Sequence, residues 1–302
     1  MKKFLISFIG VAAIVFAVDF VVGKRMDNKY ALHDTPKLLE ALHNKADIAM
    51  IGASVMFNQY VPSIIQDTLG MSCYNYGVGG QNIYYHYATA HLLFEAEYKP
   101  KIVLYQPCFI DLENHANYNT EKLDFIYSAY NYDSVFHSII NQQGCKQRFL
   151  LNALKLYKHN TRFIYYSRLY LFAKKMLHHE DKGNGYSPLN AIWQEPIQSS
   201  NEIREIDSTK CDYLDRIIEL CEENNALFIM ANAPEFENCE QESWLKYVKD
   251  LVDTKHIPYL NYHDDSTFLK HPEWFYNPAH LNGEGAVVYS KIIAGELREI
   301  VH

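Results

Sequence analysis

One pattern constrains this chain more than any other. Short apolar runs alternate with amphipathic stretches, and glycine, proline or asparagine turns separate them. Residues 47–51 (DIAMI), 73–76, 101–106 (KIVLYQ), 226–230 (ALFIM) and 257–262 (IPYLNY) are the apolar runs. A short run without polar alternation predicts a strand covered on both faces. The stretches between them predict helices. Thr35-Pro36 gives an N-cap followed by proline at the first helical position, opening a helix over 35–45. A helix over 62–69 is closed by Gly70, and another runs over 82–97. Leu214, Ile217, Ile218 and Cys221 fall on one face of a helix over 211–224. Further helices are expected over 240–254 and 284–300. Strand and helix in alternation predict an α/β fold: a parallel sheet of about five strands with helices on both faces.

Two segments depart from this rhythm. The first is Phe4–Val22, an apolar run of 19 residues behind Lys2 and Lys3. As a helix it would be ~28 Å long, close to a hydrocarbon layer of ~30 Å. Asp19 is its only charge, Lys24 and Arg25 follow, and no small-x-small cleavage site is evident. The expectation is an uncleaved membrane anchor over 1–25 (a cleaved signal is the alternative), with residues 26–302 as one extracytoplasmic, periplasmic domain. The second segment is an insertion over about 112–210, rich in Tyr and Asn. Helices are expected near 148–178 and a turn at 183–188. A long insertion after a strand's C-terminal end lies beside the crevice of an α/β sheet. It is a candidate lid or substrate cap, or else a structural extension. The 24 tyrosines are expected chiefly to fill half-buried positions, with sugar binding as the alternative.

Composition excludes some functions. A net charge of −8 with no basic run argues against nucleic acid as a partner. Cys73, Cys108, Cys145, Cys211, Cys221 and Cys239 form no CxxC pair, and their spacing specifies no disulfide framework. His178-His179 and His263-Asp264-Asp265 read as solvated loops, so neither a metal nor a cofactor is expected. Oligomeric state is not marked in the sequence.

Three segments can carry chemistry together. Ile51-Gly52-Ala53-Ser54 ends the first strand and exposes a serine hydroxyl at the sheet edge. Asn75-Tyr76-Gly77-Val78-Gly79-Gly80 ends the second, where glycines let backbone N–H groups approach a ligand. It could also be a phosphate loop, but no GxxxxGK[ST] is present. Asn277-Pro278-Ala279-His280-Leu281-Asn282 precedes the last helix and supplies a possible general base.

In this order the segments resemble the SGNH (GDSL-type) hydrolase superfamily, over about residues 45–302. Gly52 to Ser54 matches its Gly-x-Ser block. Asn75 and Gly80 match its second block, and Asn277 and His280 stand where it has Asp-x-x-His. The chain looks like exported bacterial acyltransferase- or esterase-type members. The resemblance implies a three-layer, flavodoxin-like sandwich carrying a mainly helical insertion and an N-terminal transmembrane helix. It implies Ser54 as nucleophile, His280 as base with Asn277 behind it, and the N–H groups of Ser54 and Gly80 in the oxyanion hole. The substrate would be an acylated cell-envelope carbohydrate or another small ester. There are two departures. Asn277 replaces the aspartate that would orient the base, a role that Asp264 or Asp265 could take over. The third block reads Gln106-Pro107-Cys108 without its Gly-x-Asn, so Gln106 could be the remaining side-chain oxyanion donor. These departures leave a second reading open, a non-catalytic member that binds glycan or envelope partners.

Overall fold

The computed structural model describes residues 1–30, 32, 36–114, 121–142, 144–159, 184–194, 204–236 and 243–302. The apolar runs form strands β1 (Ile48–Gly52), β2 (Cys73–Asn75), β3 (Ile102–Gln106), β4 (Leu227–Asn232) and β5 (Tyr259–Asn261). All pair in parallel, in the order β2-β1-β3-β4-β5. Ile48 stands opposite both Cys73 and Ile102, Val103 opposite Phe228, and Ala231 opposite Leu260. This is the flavodoxin-like order, whose direction of winding reverses between β1 and β3. A crevice therefore opens at the C-terminal ends of those two strands.

Side chains alternate across the sheet and set the two outer layers. Ile48, Met50, Leu104, Ile229 and Ala231 share one face with Tyr60, Ile65, Tyr289 and Ile293, drawn from helices Pro62–Leu69 and Gly283–Val301 and the turn before them. Helices Ile83–Glu95 and Ser208–Glu223 meet through Tyr84 and Tyr213, with ring centroids 4.9 Å apart. His86 of the first of these stacks edge-on against Tyr105 of β3.

The predicted boundaries hold where capping chemistry is local. Pro62 opens its helix, and Gly70 closes it at φ 67, donating its N–H to Gln66 O at 2.8 Å. Asn82 caps the next helix through Tyr84 N–H. The helix expected over 35–45 spans Pro36–His43, with Thr35 outside the described residues. The one expected over 240–254 spans Ser243–Lys255. Two elements near the crevice were not predicted. They are a short helix, Ser54–Gln59, and a hairpin of β6 (Phe275–Asn277) and β7 (His280–Leu281). Six residues are too few to show a helical period, and strands this short show no alternation.

The chain divides into two compact units, Met1–Leu39 with Thr120–His179, and Glu40–Asn119 with Glu180–His302. The sheet belongs to the second. The first holds the N-terminal helix Lys2–Tyr30, which is long and apolar enough to cross a membrane and whose side chains over Phe4–Val22 are largely exposed. Helices Ser134–Ile140 and Cys145–Ala153 and 3-10 turns Glu121–Ala129 and Lys155–His159 complete its described part. Of the helices expected near 148–178, the described part is the end of Cys145–Ala153 and the turn Lys155–His159, and 160–183 lie outside the described residues. Cys73, Cys108, Cys211 and Cys221 are free and buried.

Candidate active site

The position of Ser54 is built by close approach. A Cβ on Gly52 would stand 2.9 Å from Gln106 O and 2.8 Å from Met56 Cβ. Only glycine lets the end of β1 lie this close to β3 and turn at once into helix Ser54–Gln59. Phe57 N–H closes the first turn on Ala53 O at 3.1 Å. The glycine turn is drawn alongside by Tyr76 N–H to Met50 O at 2.8 Å and Val78 N–H to Gly52 O at 3.2 Å. Asn75 joins the two segments. Its Nδ2 donates to Met56 O and Tyr60 O at 2.6 and 3.1 Å, and its Oδ1 accepts from Gly77 N–H at 2.9 Å. As a result a Cβ on Gly79 would lie 3.8 Å from Ser54 Cβ. Gly80 adopts φ 72, in the left-handed region that favours glycine.

Gly77 has no room for a side chain. A Cβ there would stand 2.6 Å from Phe57 N and 2.9 Å from Asn75 Oδ1. Backbone cannot yield as a side-chain tip can. Gly77→Ala is expected to lower stability by about 1–3 kcal/mol, the usual overpacking cost, read as a lower urea midpoint at unchanged m-value.

His280 arrives from the other end of the sequence. Asn282 caps the last helix, accepting from Glu284 and Gly285 N–H, both at 3.1 Å, and its Nδ2 donates to Glu273 O at 2.7 Å. That fixes the β6–β7 hairpin on the helix. Gln59 Nε2 donates to Ala279 O at 3.2 Å and ties the hairpin to helix Ser54–Gln59. His280 Nε2 then lies 2.7 Å from Ser54 Oγ, and its Nδ1 lies 2.9 Å from Asn277 Oδ1.

The same Oδ1 accepts Ala279 N–H at 3.0 Å. A backbone N–H can only donate, so it holds the amide with its oxygen towards the ring. Nδ1 must therefore carry the proton, and Nε2 presents a lone pair to the serine hydroxyl. This is the tautomer a general base requires. What the asparagine cannot supply is negative charge. No carboxylate replaces it among the described residues: Asp265 caps a short helix through Thr267 N–H at 2.8 Å, and Asp264 is exposed.

Burial lowers the His280 pKa from 6.5 to about 4. A base works only when neutral, so a lowered pKa moves the loss of activity to more acid pH. Any turnover that uses His280 as base is expected to hold its kcat/KM from neutral pH to about 5 and to fall, with one proton bound, around pH 4. A midpoint near 6.5 would assign the titration to an unburied histidine.

Gln106 is tied into the fold by both ends of its amide. Its Oε1 accepts from Tyr60 Oη and from Ala233 N–H at 2.8 Å, and its Nε2 donates to Pro107 O at 2.8 Å. It joins β3 and β4 beneath the site, with Tyr289 Oη donating to Tyr60 Oη at 3.0 Å. The other two groups that the resemblance implies for an oxyanion are backbone N–H groups. The N–H groups of Ser54 and Gly80 have no acceptor among the described residues.

Part of the insertion flanks this site. Asn184 O accepts Asn75 N–H at 2.8 Å, and Ser187 N–H donates to Phe57 O at 3.1 Å. Further on, Trp193 N–H donates to Phe275 O and Gly283 N–H to Leu189 O, at 2.9 and 2.7 Å. Positive φ at Asn184 and Gly185 makes the turn that the Asn-Gly pair predicts. Sequence reasoning missed Gln59 and the linking role of Asn75, since a polar residue in a short turn carries no periodic signal.

Against protein-family models and curated proteins the chain has no match. Among solved structures it is similar to a provisionally assigned acylhydrolase from Bacteroides fragilis NCTC 9343, with 12% identity and a TM-score of 0.41 over 91% of this chain and 97% of the other. It is also similar to a provisionally assigned lipolytic protein of the G-D-S-L family from Desulfitobacterium hafniense DCB-2, with 12% identity and a TM-score of 0.39 over 85% and 99%. At such TM-scores the likeness carries no argument about function, which rests on Ser54, His280 and Asn277 themselves.

Proposed function

We propose that this protein is a membrane-anchored serine esterase or O-acyltransferase acting on acyl esters of cell-envelope carbohydrate. One observation carries the reading: the Ser54 hydroxyl stands 2.7 Å from a ring nitrogen of His280 that the Asn277 carbonyl leaves unprotonated. Ser54 Oγ attacks the acyl carbonyl while His280 Nε2 takes its proton. The N–H groups of Ser54 and Gly80 receive the oxyanion. The imidazolium returns the proton to the departing alkoxide, leaving an acyl-serine. Water or a sugar hydroxyl then attacks that ester, again through His280, and frees Ser54. The apolar helix Lys2–Tyr30 supports membrane attachment, and the short basic start Lys2-Lys3 ahead of it is the usual export arrangement, which supports a periplasmic remainder. Incubating the full chain in detergent with p-nitrophenyl acetate and a serine-reactive phosphonate tests the reading. Phosphonylation at Ser54 is the expected result, and folded protein left unlabelled would overturn it.

The absence of a carboxylate at His280 Nδ1 among the described residues favours a second reading, glycan binding without turnover. It predicts binding to acylated glycan that is unchanged in Ser54→Ala, together with no hydrolysis by the parent protein.

A further inference from the structure

The ester chemistry leaves three residues of the N-terminal helix unused. Asp19, Gly23 and Asp27 recur every fourth residue and therefore share one face. That face is gripped by the 3-10 turn Lys155–His159. Asp19 accepts the backbone N–H groups of Lys155 and Leu156 at 2.8 and 3.0 Å. A Cβ on Gly23 would stand 2.3 Å from Lys155 Cβ, so the turn lies directly on the helix backbone. Asp27 takes Lys158 Nζ at 2.7 Å, His159 Nε2 at 2.9 Å and Asn131 Nδ2 at 3.1 Å.

Around the rest of the helix at this level the side chains are bare and apolar, with Phe20 54%, Val21 65% and Val22 41% exposed. Length then sets depth. The 15 residues Phe4–Val18 give only ~22 Å of helix, short of a ~30 Å hydrocarbon layer. Phe20–Val22 must therefore enter the lipid to complete the span, and Asp19 goes with them to the hydrocarbon edge. A carboxylate is costly there unless donors meet it, and two backbone N–H groups do. The turn that supplies them must reach the same depth.

We propose that residues 121–159 form a collar seated on the bilayer surface, with Lys155–His159 held at the boundary between headgroups and hydrocarbon. This rests on the membrane attachment proposed above. The partner is phospholipid. The same unit exposes Phe125, Tyr132 and Phe149, side chains suited to that interfacial zone.

The test uses the full chain reconstituted in phosphatidylcholine–phosphatidylglycerol vesicles, with a fluorescent reporter placed in the turn by Tyr157→Trp. Emission above that of the three native tryptophans is expected to be strongly quenched by lipid brominated near the headgroup end of its chains. The quenching should disappear in a Gly23→Leu background, where the added side chain lifts the turn off, while the protein still sediments with vesicles. Vesicle-bound protein whose reporter emission is unquenched would overturn the collar alone. Protein that does not sediment with vesicles would instead overturn membrane attachment. Hydrogen exchange gives an independent readout in case the reporter variant misfolds. The amides of Lys155 and Leu156 should exchange faster in Asp19→Ala, and unchanged rates would show that the grip does not exist.

Discussion

Ser54→Ala is expected to remove p-nitrophenyl ester cleavage by on the order of 10⁴-fold or more, the scale seen when a serine nucleophile acting with a histidine is deleted. The fold should persist, because the one hydrogen bond found for the hydroxyl among the described residues is to His280. Circular dichroism and the urea midpoint of the variant should match those of the parent. His280→Ala should cost a similar factor, and the double variant little more than either alone. Nucleophile and base act as one unit, so the second deletion removes nothing that remains. Turnover in Ser54→Ala within about tenfold of the parent would place the ester chemistry elsewhere.

Asn277 divides into two contributions that substitution can separate. Asn277→Leu removes the carbonyl, so nothing holds the proton on Nδ1 and the Nε2–H tautomer competes. Mis-set tautomers in serine enzymes cost up to ~10⁴ in kcat, and a loss on the order of 10²–10⁴ is expected here. Asn277→Asp keeps the acceptor and adds charge. The gain should be smaller, about 10-fold to 10²-fold, since the tautomer is already correct and only the imidazolium is newly stabilised. The carboxylate also raises the His280 pKa, so the acid limb of the pH profile should move upward from about 4. An Asp variant with an unmoved acid limb would show that His280 is not the titrating base.

Much of this fold is written locally. Proline at the start of a helix, Gly70 at the end of one and Asn82 at the head of another act within one turn of chain, and the helices begin and end there. The five apolar runs became the five strands: β1, β2 and β3 are buried throughout and β4 beyond its first residue, while β5 at the sheet edge is only partly covered. The positions of Ser54 and His280 were legible too, each lying beside a well-marked element. What the sequence hid is long-range. The engagement of Gln106 depends on Tyr60 and Ala233, 46 and 127 positions away. None of these partners can be read from spacing. The stripe Asp19, Gly23, Asp27 was visible as residues, but its meaning lay in a turn far along the chain, 136 positions from Asp19 to Lys155.

Ser54 and His280 stand 226 positions apart, and the ties between their segments are of similar reach: Gln59 to Ala279 spans 220 and Val61 to Ser290 spans 229. Contacts of such high sequence separation form late, after the loop entropy between them has been paid. The reactive pair is therefore a reporter of completed folding. A ribosome-bound or translocating chain that still lacks the segment from Asn277 onward holds a serine with no base, and reactivity switches on only when the C-terminal helix docks. Phosphonate labelling during refolding should accordingly lag the recovery of helical signal and coincide with the final cooperative step.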